Sequence, residues 1–185
     1  LGVGLIPAAG GCKEMAMRFY GSIPPQVNAD LFPYMERLFR VIGMASVGTS
    51  AEESRELGFL RPTDRVTLNP DAVLADAKAD VLAMAAMGYQ PPKPRTVKVP
   101  GRDGLAALKI AAHTMKEGGY LSEYDQHLGT VLGSVLCGGD VPAGTVLSEQ
   151  DFLDLEREAF VELCRQEKTM ARILHMLEKG KPLRN

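Results

Sequence analysis

Apolar residues recur every three or four positions over most of the chain, and this spacing is typical of amphipathic helices. One segment begins after Asn28 or Asp30, either of which can cap a helix, and glycines or prolines end most of the others. The apolar positions that predict helices are Leu31, Met35, Leu38, Phe39 and Ile42; Leu74, Ala77, Val81 and Met84; Leu105, Leu108, Ala112 and Met115; Leu128, Val131, Leu132, Val135 and Leu136; Phe152, Leu155, Ala159 and Leu163; and Met170, Ile173, Leu174 and Leu177. The pattern predicts a mainly α fold with little or no β-sheet.

Local signals mark where several of these helices begin. A serine followed three residues later by an acidic residue is typical of a capping box, and it occurs at residues 50–53, 122–125 and 148–151. Residues 12–19 predict a further short helix that ends before Gly21.

The helical pattern is interrupted at residues 90–104. Three of residues 91–94 are prolines, which lack the backbone N–H donor that a helix needs. Polar and apolar residues alternate over residues 96–99, as in a short extended segment. Residues 101–104, Gly-Arg-Asp-Gly, predict a turn. We therefore divide the chain into residues 1–89, a Pro/Gly-rich linker or arm at 90–104, and C-terminal helices at 105–185.

Composition and charge exclude several classes of protein. Of 185 residues, 45% are hydrophobic, and 21 Lys and Arg against 23 Asp and Glu leave a formal net charge of −2. This balance predicts no nucleic-acid partner, and no apolar run reaches the roughly 18 residues of a membrane span. The three cysteines are far apart and form no C-x-x-C motif, which argues against a disulfide scaffold or a metal site and favours a cytoplasmic location: Cys12, Cys137 and Cys164.

The glycine-rich opening is the most unusual part of the sequence. Gly2 and Gly4 begin a dinucleotide-binding pattern, but Pro7 stands where its third glycine should be. Residues 8–11, Ala-Ala-Gly-Gly, precede a predicted helix and leave two interpretations open. Their N–H groups could bind a ligand at the helix N-terminus, or the small residues could form a tight turn that packs closely.

The other polar residues give no catalytic arrangement. We interpret the three histidines as solvated or structurally satisfied, because no nucleophile lies near them in sequence: His113, His127 and His175. A run of acidic residues is interpreted as a solvated face near a helix N-terminus, where negative charge is favourable: Asp151, Asp154, Glu156 and Glu158.

The opening, LGVGLIPAAGGCKE, resembles the segment E-x-x-x-G-x-I-P-x-x-G-G near the active site of the enoyl-CoA hydratase (crotonase) family. Residues 50–60, SAEESRELGFL, and the end of the chain, with ERExF and RILHMLEKGKPLRN, resemble later segments of that family. The likeness is greatest to the hydratase-like C-terminal module of bacterial bifunctional 3-hydroxyacyl-CoA dehydrogenases and spans essentially the whole chain. It implies the C-terminal helical part of a crotonase-like fold, in a β-oxidation enzyme that takes acyl-CoA substrates and NAD.

The resemblance also implies residues that contact the substrate. Ile6 and Pro7 would line the acyl pocket, and the N–H of Ala8, which replaces a more usual glycine, would help to hold the reacting water. Phe160 would pack near coenzyme A. Lys179 would meet the coenzyme's phosphates, often in a neighbouring subunit.

The catalytic groups of the family fall outside this sequence. Its second glutamate stands immediately before the position that matches Leu1, and its first glutamate and oxyanion-hole donors lie further upstream. We therefore expect no catalytic residue, no cofactor and no activity in the chain by itself, which begins with Leu and is interpreted as a C-terminal fragment. The alternative is a non-catalytic helical oligomerisation or interaction module.

Association is expected for a fragment of this kind. Without the upstream core, apolar helix faces would lie open, such as Leu31, Met35 and Leu38, or Phe152 and Leu155, and large open apolar patches mark interfaces. The expected partners are further copies of the chain and the missing upstream part of the parent protein.

Overall fold

The computed structural model describes residues 2–24 and 26–185, so that Leu1 and Pro25 lie outside the described residues. The chain forms two compact units, one from residues 1–47 with 95–185 and the other from residues 48–94. The helices are α1 (Gly11–Tyr20), α2 (Phe32–Gly43), α3 (Ala51–Glu56), α4 (Val73–Ala86, after a 3-10 turn at Pro70–Ala72), α5 (Gly101–Glu117), α6 (Glu123–Cys137), α7 (Glu149–Cys164) and α8 (Glu167–Lys179). Strands β1 (Thr96–Lys98) and β2 (Val146–Ser148) form a small antiparallel sheet, with Val97 opposite Leu147. The predicted mainly α fold is confirmed.

Predicted serine caps are found at three of the described helix starts, those of α3, α6 and α7. Complete capping boxes form at residues 122–125 and 148–151, where each serine and each aspartate bonds the other's backbone N–H. Ser50 also caps α3, but the Glu53 carboxylate accepts from Thr49 instead of from the Ser50 N–H. At α2 the N-cap position is Leu31, which forms no side-chain cap. Asp30, one of the two residues predicted to cap this helix, lies one position earlier and accepts the N–H of Phe32 at 2.9 Å.

Helix α6 lies at the centre of the larger unit. It packs against α1, α2, α5 and α7, and its buried side chains form much of the core: Leu128, Leu132, Val135, Leu136 and Cys137. Gly133 permits close packing with α5, because a Cβ there would lie 3.1 Å from Leu108 Cδ1. The hydroxyl of Tyr20 on α1 donates to the Leu136 carbonyl at 3.0 Å, which ties α1 to the same helix.

The turn predicted at residues 101–104 is wrong, because α5 already begins at Gly101. Both glycines serve close packing. A Cβ at Gly101 would collide with the Val141 carbonyl oxygen, and one at Gly104 would lie 2.7 Å from Met35 Sδ. Residues 95–104 belong to the larger unit, where Val97 and Val99 are buried. The division into 1–89, 90–104 and 105–185, which refers to the crotonase-like fold, stays a prediction.

The apolar residues expected to lie open are largely buried. Met35, Leu38 and Phe152 are each 0% exposed, because they pack inside the larger unit itself. That premise for association is therefore wrong. The apolar residues that do lie open on α8 are a different set: Met170, Leu174 and Leu177.

A buried polar network connects α6, α8 and the opening loop. The Thr169 hydroxyl donates to the Gly4 carbonyl at 2.7 Å and therefore accepts from the Tyr124 hydroxyl at 2.6 Å. Nearby, the buried Arg172 donates to Asp125 at 2.8 Å. Burial by itself would raise the pKa of Asp125, but hydrogen bonds from Arg172 and Ser122 outweigh it and hold that pKa below its ordinary value.

Thr169→Val should destabilise the protein, because it leaves the Gly4 carbonyl and the Tyr124 hydroxyl buried without their shared partner. We expect the free energy of unfolding in urea to fall by about 1–3 kcal/mol. The matched control is Thr114→Val on α5, whose exposed hydroxyl bonds the Ile110 carbonyl of its own helix. This variant should change stability by less than about 0.5 kcal/mol. Equal losses in the two variants would contradict this role of Thr169.

The three free cysteines should differ in reactivity. Burial raises the pKa of the Cys12 thiol far above its ordinary value and that of Cys137 to about 12, whereas Cys164 is exposed. Since the thiolate is the reactive form, an aromatic disulfide reagent at pH 8 should modify Cys164 alone in the native chain and all three cysteines in denaturant. Rapid native modification of Cys12 would show that the α1 core is not closed.

Candidate functional site

The opening loop leads into α1 through residues in left-handed backbone conformations. Gly4 and Gly10 have φ angles of 80° and 93°, and Ala9, which is not a glycine, has a φ of 55°. Such an angle is uncommon for a residue with a Cβ, and it persists only where neighbouring contacts hold it in place. The loop is therefore a shaped segment rather than a simple entry to the helix.

Short-range bonds hold the middle of this loop. The Cys12 thiol donates to the Pro7 carbonyl at 3.1 Å, and the Gly11 N–H donates to the Ala8 carbonyl at 3.2 Å. The chain comes so close here that a Cβ at Gly11 would lie 2.9 Å from Pro7 Cβ. Since burial keeps the Cys12 thiol protonated, it remains a donor throughout the physiological pH range.

Glu156 of α7 supplies the long-range contact of the loop. Its carboxylate accepts the N–H of Gly10 at 2.6 Å and the N–H of Lys13 at 3.0 Å, and the residue is only 2% exposed. The interpretation of the acidic run as a solvated face is wrong for Glu156, although Asp151 and Glu158 are exposed as expected. Because an internal carboxylate takes two donors at the α1 N-terminus, the tight-turn interpretation of residues 8–11 is favoured.

The first three residues that the resemblance assigns to substrate binding lie in this loop. Ile6 is buried, at 3% exposure, while Pro7 is exposed and Ala8 is half-buried. The Ala8 N–H donates to no acceptor among residues 2–24 and 26–185. It is therefore a backbone donor that a ligand could use.

Phe160 lies on the same helix as Glu156, and the spacing of four residues puts both on one face. Leu153 also belongs to this face and lies near Gly10, where a Cβ would be 3.7 Å from its side chain. The half-buried Phe160 is thus on the side of α7 that faces the loop and α1.

Lys179, by contrast, lies away from the loop. It is exposed and is the last residue of α8. Thr169, which contacts the loop, stands ten residues earlier, or about 15 Å along the helix axis. The structure therefore places Ile6, Pro7 and Ala8 in the loop and Lys179 at the far end of α8, although Pro182, three residues later, lies near Gly2, where a Cβ would be 3.9 Å from its side chain.

Sequence reasoning missed a pair of carboxylates joined by one arginine. Arg95 donates to Glu14 of α1 at 2.7 Å and to Glu149 of α7 at 2.7 Å, and Arg18 also pairs with Glu14 at 3.0 Å. Because a guanidinium stands between them, these carboxylates act as an ion-pair cluster and not as a free acid–base pair. No local pattern marks it, since the partners of Arg95 are 54 and 81 residues away.

A cavity of about 630 Å³ also lies within the larger unit. Its described lining residues come from segments 20–32, 96–104 and 143–146, and none of the five predicted site residues is among them. The polar groups at its mouth, among them Lys98 and Asp103, are exposed, so the cavity is open to solvent.

Metal-ligand clusters and membrane-spanning helices are both absent from the described residues. No group of three or more His, Cys, Asp or Glu side chains there could hold a metal ion. His127 stacks on the ring of Tyr124 with centroids 5.6 Å apart, in agreement with a structural role. None of the helices described is both long enough and apolar enough to cross a bilayer.

Comparison with known proteins gives one informative similarity. No protein-family model matches the chain, and no solved structure matches it. It is 44% identical over 184 residues to a probable 3-hydroxyacyl-CoA dehydrogenase of Bacillus subtilis (strain 168). The match covers the whole of this chain but only 23% of that protein, so the chain spans about a quarter of the length of the curated relative it matches.

Proposed function

We propose that this chain is the C-terminal part of a fatty-acid β-oxidation enzyme with 3-hydroxyacyl-CoA dehydrogenase and enoyl-CoA hydratase activities. The observation that carries the proposal is the 44% identity, over the full length of the chain, to a probable 3-hydroxyacyl-CoA dehydrogenase. The resemblance of the opening loop to the crotonase family supports the hydratase part. In this proposal the parent protein binds NAD and acyl-CoA, and the chain alone binds no cofactor.

The shape of the opening loop supports a role in hydration. Adding water to an enoyl thioester develops negative charge on the thioester oxygen, and oriented backbone donors stabilise such charge or hold the attacking water. The Ala8 N–H, which has no acceptor within residues 2–24 and 26–185, is a donor that could hold the attacking water. Ile6 and Pro7 precede it in the same loop. Two carboxylates then move the protons, and in this proposal the upstream part of the parent protein supplies both.

The proposed coenzyme site lies at the end of α8. Lys179 is exposed there and Lys181 follows, whereas the rest of the tail folds back, with Asn185 bonded to Arg172 and to the Lys168 carbonyl. Cationic side chains form charge-assisted hydrogen bonds to phosphate, which suits the pyrophosphate and 3′-phosphate of coenzyme A. Phe160, half-buried on α7, would pack near the coenzyme.

Assembly and location complete the proposal. We propose that the chain associates with further copies of itself and with the upstream part of the parent protein in the cytoplasm, where its three cysteines would remain reduced. The open apolar side chains of α8, including Leu174 and Leu177, favour such contacts. The same side chains favour the alternative, a non-catalytic helical interaction module, which differs by predicting no hydratase activity in the full-length protein.

Hydratase assays on the isolated chain and on the full-length protein distinguish the enzyme fragment from the non-catalytic interaction module. The 185-residue chain should not hydrate crotonyl-CoA above background in a spectrophotometric assay, because in this proposal the carboxylate pair and the oxyanion hole belong to the upstream part of the parent protein. The full-length protein should hydrate it. Hydration of crotonyl-CoA by the isolated chain would contradict the fragment interpretation. A full-length protein that is an active dehydrogenase but does not hydrate crotonyl-CoA would favour the interaction module.

Coenzyme A binding should be weak and sensitive to salt. Exposed phosphate contacts contribute about 1 kcal/mol or less each, and salt screens them. Calorimetry on the full-length protein should therefore show up to about fivefold weaker binding of coenzyme A in Lys179→Ala. Lys109→Ala, which removes an exposed lysine on α5, is the control and should have no effect. Salt-insensitive binding unchanged in Lys179→Ala would exclude the proposed role of Lys179.

A further inference from the structure

The buried carboxylate of Glu156 is the one side chain that α7 contributes to the backbone of the opening loop among the hydrogen bonds of the described residues. It receives two N–H groups, from Gly10 and from Lys13, on its two separate oxygens. A carboxylate can accept at both oxygens, whereas an amide of the same size has one acceptor oxygen and a donor group. The arrangement therefore requires the carboxylate and not merely a polar side chain of that length.

These two bonds act on a backbone segment whose conformation must be stabilised by neighbouring contacts. Ala9 has a φ of 55° and directly precedes Gly10, whose N–H is held by Glu156 at 2.6 Å. On the other side of the loop, Thr169 holds the Gly4 carbonyl. The segment between these anchors contains Ala8, whose N–H shares a peptide unit with the Pro7 carbonyl, the acceptor of the Cys12 thiol at 3.1 Å. Glu156 holds Gly10 and Lys13 on either side of Cys12, so it supports this peptide unit through the turn that follows it.

We propose that Glu156 is a positioning residue for hydration, one that orients the Ala8 N–H toward the reacting water by fixing the peptide units that follow it. This inference rests on the proposed hydratase function. Glu156 touches no substrate in this arrangement, because its carboxylate is buried and both of its oxygens face the α1 N-terminus. Its effect reaches the reaction through the loop, and a donor misplaced by a fraction of an ångström loses much of its catalytic value.

The test uses the full-length protein with Glu156→Gln, and Glu158→Gln as the matched control. Glu158 lies two residues further along α7 and is exposed, so the same chemical change there should leave the loop unaffected. We expect Glu156→Gln to lower kcat for crotonyl-CoA hydration by about 10- to 100-fold. KM should stay within about twofold, since the substrate's binding contacts are retained.

A second readout does not depend on activity. Hydrogen exchange followed by mass spectrometry should show faster exchange in the peptide that covers residues 7–14 in Glu156→Gln, while peptides from α5 and α6 keep their protection. Glu156→Asp, which keeps the charge on a shorter side chain, should lie between wild type and Glu156→Gln in both measurements. If Glu156→Gln does not fold, Glu156→Asp decides the question by the same two readouts.

The outcomes separate this inference from the proposed function. An active wild type with unchanged kcat and unchanged loop exchange in Glu156→Gln would overturn the positioning role. Faster exchange throughout the larger unit, with a loss of folded protein that accounts for the lost activity, would also overturn it and leave a purely structural role. A wild type without hydratase activity would overturn the catalytic role and the proposed function together, and faster loop exchange in Glu156→Gln would then show that the loop is held by Glu156 for another purpose.

Discussion

The bonds from Gly10 and Lys13 to the Glu156 carboxylate fix the position at which α1 begins. The packing of the larger unit depends on that position, because α1 contacts α2, α6 and α7. The first N–H groups of a helix have no partner within the helix, and here they would be partly buried. Glu156 satisfies two of them and adds a negative charge where the helix dipole favours one. The partners stand 146 and 143 residues apart, so this contact joins the start of the chain to its end.

The second anchor acts on the same loop from α8. Thr169 receives the Tyr124 hydroxyl and donates to the Gly4 carbonyl, while one turn further on Arg172 reaches Asp125 in the capping box of α6. One polar network therefore orients α6, α8 and the loop relative to one another. Each of its buried members depends on the others, since removing one leaves its partners without a hydrogen bond.

Features decided by neighbouring residues could be predicted from the sequence, and features decided by distant ones could not. The capping boxes at residues 122–125 and 148–151 form as expected, because serine and aspartate act on the backbone three residues away. Gly101 and Gly104 predict a turn when only the neighbouring residues are considered. In the structure both positions need glycine because Val141 and Met35 approach too closely for a Cβ. That approach depends on the fold of distant segments. Glu156 carries no local mark that separates it from the exposed Glu158, since its burial is decided by α1.

The position of Glu156 also constrains what the opening loop can bind. Two donors of the α1 N-terminus are already occupied, and the carboxylate that occupies them would repel a phosphate at the same place. The loop thus suits a neutral ligand at the Ala8 N–H, such as the reacting water of the proposed hydration, better than an anion. A coenzyme with several phosphates must place them elsewhere. Our proposal assigns those phosphates to the end of α8, where Lys179 is exposed about 15 Å along that helix from the Thr169 contact.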